Sequence, residues 1–149
     1  MSEKLHQNKI VIVSGGFDPI HSGHITYLNA AKALGGMLIV GLNSDGWLVR
    51  KKRKPFMTFT ERYAIVSHLK MVDDVYSFYD GDNTAKDLIL QVRSRNPNSI
   101  IVFANGGDRT EDKVPEASLA DDNTFFLSGV GGEDKLNSSS KILEEWAWK

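Results

Sequence analysis

Five short apolar runs separated by helical patterns constrain this chain's fold more than any other feature. They are Lys9 to Ser14, Met37 to Leu42, Asp74 to Phe78, Ser99 to Phe103 and Thr124 to Leu127. Each is largely β-branched or aromatic, as buried parallel strands are. Helical patterns fall between or after them, at Gly23 to Leu34, Phe59 to Lys70, Thr84 to Arg95 and Ser139 to Trp146. Gly35-Gly36 closes the first helix, Thr58-Phe59-Thr60-Glu61 reads as a capping box opening the second, and Asn96-Pro97-Asn98 ends the third. Strands alternating with helices predict an α/β domain with a parallel sheet and right-handed crossovers.

The remaining bounds are consistent with one such domain. A length of 149 residues suffices for a buried core, and a net charge of −1 argues against a general nucleic-acid binder. With no cysteine there is neither a disulfide framework nor a thiolate nucleophile. No apolar run approaches a membrane span of roughly 18 residues, and the polar stretch Met1 to Lys9 lacks a signal-peptide apolar region. The expectation is a cytoplasmic protein without nucleic-acid or membrane partners.

The stretch Ser14-Gly15-Gly16-Phe17-Asp18-Pro19-Ile20-His21-Ser22-Gly23-His24 joins the first strand to the first helix. Ligands of an open parallel sheet bind beyond the carboxyl ends of its strands, where a helix N-terminus faces solvent. Gly15 and Gly16 would let the backbone approach a phosphate. His21 and His24, three apart, can project toward one ligand. The same residues admit plainer readings: a capping histidine, a common glycine turn, or a metal triad of Asp18, His21 and His24. Taken together and in order, Gly16 to His24 resembles the GxFDxxHxGH signature of the cytidylyltransferase-like nucleotidyltransferases. It is neither the dinucleotide GxGxxG pattern nor the phosphate-loop pattern.

A second stretch, Asn43 to Pro55, follows the second strand and carries Arg50-Lys51-Lys52-Arg53-Lys54, the densest charge cluster in the chain. It reads as a solvated basic loop, a nucleic-acid patch, or a mobile cationic flap closing over a triphosphate; the last is favoured because the loop leaves the active edge of the sheet. The resemblance adds residues here. Asn43-Ser44-Asp45 matches the xSD or xTD of glycerol-3-phosphate cytidylyltransferases and heptose-phosphate adenylyltransferases. In a gapless alignment, the cytidylyltransferases' catalytic lysines fall on Lys51 and Arg53, with Lys52 pointing to solvent. Arg62 falls on the family's helix arginine.

Two later stretches support the first. Asn105-Gly106-Gly107-Asp108 resembles the KGGD of the heptose-phosphate adenylyltransferases, with asparagine in place of lysine. Asn137-Ser138-Ser139-Ser140-Lys141-Ile142 resembles the family's serine-threonine run before the last helix, although serines there are first of all N-caps.

The resemblance implies a Rossmann-like, doubly wound five-stranded parallel sheet in three layers, with residues 1–149 forming a single nucleotidyltransferase domain. It implies transfer of a nucleotidyl group from CTP or ATP to a phosphorylated small molecule, with release of pyrophosphate. His21, His24, Lys51 and Arg53 are the expected catalytic residues. Gly15, Gly16, Phe17, Asp18, Arg62, Asn105, Gly106, Gly107, Asp108, Asn137, Ser138, Ser139 and Ser140 are the expected nucleotide contacts. Mg²⁺ is expected to accompany the triphosphate, with Asp18 an indirect partner and no dedicated protein cage. A homodimer is expected, with Trp146 and Trp148 as candidate aromatic surface. Two other readings stand beside this one: a nucleotide-binding regulatory domain without turnover, and a metal-dependent hydrolase using Asp18, His21 and His24.

Overall fold

A computed structural model describes residues 8–106, 114–131 and 139–147. In chain order they form β1 (Lys9–Gly15), α1 (Ser22–Ala33), β2 (Met37–Leu42), α2 (Asp45–Lys52), α3 (Phe59–Ser67), β3 (Asp74–Ser77) and α4 (Lys86–Arg95). Next come β4 (Ile100–Ala104), a 3₁₀ turn (Pro115–Leu119), β5 (Thr124–Leu127) and α5 (Ser139–Ala147). The five strands make one sheet in the order β3-β2-β1-β4-β5, every pairing parallel.

Both faces of that sheet are covered, as a fully parallel sheet requires. Strand alternation sends Ile10, Ile12, Ile39, Ile101 and Phe103 to one face, where Leu88, Ile89 and Val92 of α4 pack on them. Val11, Val13, Leu38, Val40 and Val102 point the other way, against Leu28 and Ala31 of α1 and Val66 of α3. This is the three-layer, doubly wound architecture expected from the sequence. Among the described residues no helix is long and apolar enough to cross a membrane.

The element boundaries differ from expectation in places that have local causes. The third expected helix starts at Lys86, not Thr84, because Thr84 bonds Asp82 through its hydroxyl (2.9 Å) and accepts the Lys86 N–H (3.2 Å). The second expected helix ends at Ser67, where the Leu69 and Val72 amides bond back three residues in successive turns. Thr58 caps that helix without a side-chain hydrogen bond, so the expected capping box is not formed. Gly35 and Gly36 close α1 with φ of 95° and 89°, and a Cβ on Gly36 would stand 2.0 Å from the Lys9 carbonyl oxygen.

The largest departure lies in the basic stretch. Most of what reads as a loop is α2, a helix running straight off the β2 turn with Arg50, Lys51 and Lys52 in its last turn. The cluster is therefore mounted on a helix instead of forming a flap. Strand order reverses around β1, which has β2 on one side and β4 on the other. The carboxyl ends of β1 and β4 thus open the crevice where a ligand of such a sheet binds.

Candidate active site

The turn after β1 brings two imidazoles together through backbone capping. His21 is the N-cap of α1, and its Nδ1 accepts the Gly23 N–H at 3.0 Å. His24, at the third helical position, accepts the His21 N–H on its own Nδ1 at 3.2 Å. The pair forms a reciprocal capping box in which imidazoles replace the usual hydroxyl and carboxylate. A backbone N–H only donates, so both Nδ1 atoms present lone pairs and the ring protons sit on Nε2. The rings stack with centroids 3.8 Å apart, and Phe17 meets His24 edge-on at 4.8 Å. Burial, followed by the charges of His21 and Lys51, pushes the His24 pKa down to about 4. At neutral pH His24 is therefore a neutral Nε2–H donor.

The glycines of the turn serve packing. A Cβ on Gly15 would meet the Phe17 ring at 3.1 Å, and one on Gly16 would meet Leu48 at 3.0 Å and Trp47 at 3.5 Å. Phe17 itself has φ of 52°, a left-handed conformation that turns its ring inward to 4% exposure beneath His24.

Asp18 and Arg62 occupy structural positions, which corrects two expectations. The Asp18 carboxylate accepts the Phe56 and Met57 N–H groups at 2.6 Å each and pairs with Lys52 Nζ at 2.9 Å. Both oxygens are thus engaged within the protein, so Asp18 does not fit a Mg²⁺ ligand or a nucleotide contact. The triad of Asp18, His21 and His24 is not assembled as a metal site for the same reason. Lys52, expected to face solvent, turns inward to Asp18. Arg62 is fully buried. Its guanidinium donates to the carbonyls of Met57 (3.0 Å), Gly16 (3.1 Å) and Asn43 (2.7 Å) and to Asp45 Oδ1 (2.7 Å). It fastens the β1 and β2 turns to each other and to the segment before α3, leaving little donor capacity for a ligand.

The α2 helix is anchored at its start by a residue the sequence reading overlooked. Asp80, 5% exposed beyond β3, accepts from Asn43 Nδ2 (3.0 Å), Ser44 N (2.8 Å) and Ser44 Oγ (2.7 Å). Ser44 Oγ in turn caps α2 by accepting the Trp47 N–H at 3.1 Å. Arg50 donates to the Asp80 carbonyl at 2.7 Å and to Asn83 Oδ1 at 3.2 Å. Lys51 is exposed and lies over the Trp47 ring, 4.7 Å from its centroid. Arg53 is exposed at the C-cap, with φ of 79°.

On the other flank, Asn105 continues β4 into the crevice. Its N–H bonds the Leu127 carbonyl at 2.8 Å and its carbonyl accepts the Val130 N–H at 2.9 Å. Its side-chain Nδ2 is buried and has no hydrogen-bond partner among the described residues, a state that costs free energy unless an acceptor is supplied. Gly106 faces Tyr27, whose hydroxyl donates to the Ala104 carbonyl and ties α1 to the end of β4. Ser139 donates to the Pro19 carbonyl at 2.7 Å, bringing the start of α5 to the histidine turn, while Ser140 is exposed. Gly107, Asp108, Asn137 and Ser138 lie outside the described residues, as does Trp148. Trp146 is exposed on α5.

Asp80, Trp47 and Tyr27 went unnoticed in the sequence, each with some signal. Asp80 stands just after a strand, in the turn-rich run Phe78-Tyr79-Asp80-Gly81-Asp82-Asn83; Trp47 lies four residues before Lys51, one helical turn away.

The order of the sheet and the crevice at its reversal define a Rossmann-like α/β fold. A family profile described as cytidylyltransferase-like matches residues 12–121, and the chain belongs to that family. Among its relatives is the bifunctional protein HldE of Pseudomonas fluorescens, 39% identical over 95% of this chain and 28% of that protein. The bifunctional protein HldE of Pelobacter propionicus is 31% identical over 98% of this chain and 29% of its own. The chain therefore spans under a third of the length of these curated relatives. A crystal structure of a lipopolysaccharide core biosynthesis protein from Thermoplasma volcanium shares the fold, with a TM-score of 0.63 over 88% of this chain and 99% of that one at 24% identity.

Proposed function

We propose that this domain is a nucleotidyltransferase that passes CMP or AMP from CTP or ATP to a phosphorylated small molecule, either glycerol phosphate or a sugar phosphate. An oxygen of the acceptor's phosphate attacks the α-phosphorus and forms the new P–O bond. The bond from that phosphorus to the β-bridging oxygen breaks, and its electron pair leaves with pyrophosphate. No enzyme nucleophile is needed, and catalysis is positioning and charge stabilisation. The observation that carries the reading is the capped imidazole pair. With each Nδ1 accepting a backbone amide, each ring presents its Nε2–H as the group that can donate to phosphate oxygens as charge builds.

Lys51, on the last turn of α2, and Arg53, at its C-cap, supply positive charge at the α-phosphate and leaving pyrophosphate. Ser139 and Ser140 stand at the start of α5, a helix N-terminus suited to the β- and γ-phosphates. The unpaired amide of Asn105 suits an acceptor atom on the nucleotide or its partner. Mg²⁺ enters with the triphosphate, and no step is assigned to a protein-held ion. The Asn43-Ser44-Asp45 and Asn105-to-Asp108 stretches, which resemble the heptose-phosphate adenylyltransferases, favour a sugar phosphate as acceptor.

The test is a pyrophosphate-release screen of the four NTPs against sugar phosphates, glycerol phosphate and amino-alcohol phosphates. Strong preference for ATP or CTP with one acceptor class is expected. Equal turnover of all four nucleotides would overturn the reading, and tight NTP binding without turnover would favour a regulatory domain instead.

A further inference from the structure

Trp47 stands between the glycine turn and the basic cluster. Its ring edge is 3.5 Å from where a Cβ on Gly16 would lie, so it packs on the turn leading to the histidines. Lys51 is one helical turn further along α2, and its ammonium sits 4.7 Å from the centroid of the indole. The Trp47 backbone is fixed by Ser44 Oγ at 3.1 Å, and Ser44 is fixed by Asp80 at 2.7 Å. We infer that Trp47 is a positioning residue, whose indole face holds the Lys51 ammonium on the side of α2 that packs against the glycine turn and so aims it at the crevice.

A lysine on an exposed helix face samples many rotamers of a four-carbon stem. An aromatic face at van der Waals distance from the ammonium restricts that sampling, because the ring quadrupole attracts the cation. The direction of the restriction matters more than its strength. Trp47 packs over Gly16, so a cation held on its ring is kept on the crevice side of α2. The same placement agrees with the lowered pKa of His24, to which Lys51 contributes after burial and His21. The hydrogen-bonded chain from the buried Asp80 through Ser44 to Trp47 gives this arrangement its base, while the neighbouring Lys52 is committed to Asp18. The inference rests on the role proposed for Lys51 in transfer, but the placement of the cation is measurable without any turnover.

Two measurements on the full chain test it. In the ligand-free wild-type protein, ring current should shift the Lys51 Cε protons upfield, and an unshifted Lys51 overturns the inference whatever any variant does. The His24 ring-proton titration is then compared in wild type, Lys51→Ala, Trp47→Met and Trp47→Phe. Lys51→Ala and Trp47→Met should raise its midpoint by a similar amount, and Trp47→Phe should hold it near the wild-type value. In the transfer assay Trp47→Met should lower kcat on the order of tenfold with little change in KM for NTP. Trp47→Phe should recover most of that loss, and adding Trp47→Met to Lys51→Ala should cost nothing further. A Trp47→Met chain whose His24 midpoint matches wild type while Lys51→Ala moves it overturns the inference, as do multiplicative losses in the double variant. Absence of turnover in the wild type would defeat the proposed function alone, because the titration still decides where the cation lies.

Discussion

Since Nδ1 of His24 is taken by the His21 amide, the ring meets a ligand through Nε2. Replacing His24 by alanine should leave nucleotide binding nearly intact and reduce transfer by roughly a hundred- to a thousandfold, the usual cost of losing one preorganised donor. Isothermal titration with NTP beside a single-turnover assay separates the two effects. The same residue gives the protein an acid sensitivity. Its folded-state pKa of about 4 lies below the ordinary 6.5, so between those values the unfolded chain binds more protons. Stability should therefore fall as pH drops from about 6.5 through 4, and His24→Gln should flatten that slope in urea titrations. The two central lysines of the cluster should also part company. Lys52→Ala strips the buried Asp18 carboxylate of its cation and should cost about 1–3 kcal/mol of stability. Lys51→Ala, at an exposed position, should stay within about 0.5 kcal/mol, and urea denaturation of both variants checks the contrast. The gapless alignment set Lys51 at the site and Lys52 in solvent, but the register of α2 turns Lys52 inward to Asp18, a burial that the alignment does not carry.

At the scale of the element, α2 is where the sequence was least readable. Asp45-Gly46-Trp47-Leu48-Val49-Arg50-Lys51-Lys52 combines a glycine, a β-branched residue and adjacent like charges, which argues for a loop on propensity. What makes it a helix is tertiary: the Ser44 cap, held by Asp80 from beyond another strand, and Leu48, buried at 2% exposure against Gly16. The five strands, by contrast, were legible to within a residue: β1, β2 and β4 are apolar runs buried on both faces, and the edge strands β3 and β5 are short β-branched or aromatic runs with one face buried. The histidine turn was equally legible as the start of α1, since its two imidazoles form the cap. If α2 depends on its anchor, Ser44→Ala should cost about 1 kcal/mol through the lost cap. Asp80→Ala should cost more, because it leaves the Asn43 amide and the Ser44 N–H without their acceptor. Chemical denaturation measures both, and equal costs for the two changes would contradict the anchoring.

Over the whole molecule, Arg62 is the residue on which the separate turns converge. It read as a ligand contact because arginine on a helix near a phosphate site invites that role, and burial is not visible in one sequence. Arg62→Met should retain bulk yet leave the buried Asn43 carbonyl and the half-buried Gly16 and Met57 carbonyls without their donor, at a cost of about 1–3 kcal/mol from the buried group alone. Circular dichroism melting should show a large drop in Tm, whereas a surface arginine would show almost none. The pairing of β1 with β4 has a consequence for the order in which the chain can mature. During synthesis, residues 8–80 can lay down β1, β2 and β3 with α1 and α3 on one side. The opposite side, with Ile10, Ile12 and Ile39, stays bare until Leu88, Ile89 and Val92 of α4 arrive. β1 also keeps an open flank until Ile100–Phe103 emerge to pair with it. A nascent chain halted before that point presents an apolar surface and an unpaired strand edge, both of which invite aggregation. Synthesis through this window is thus when the protein depends most on chaperones, and slowing translation there should lower its yield more than slowing it anywhere later.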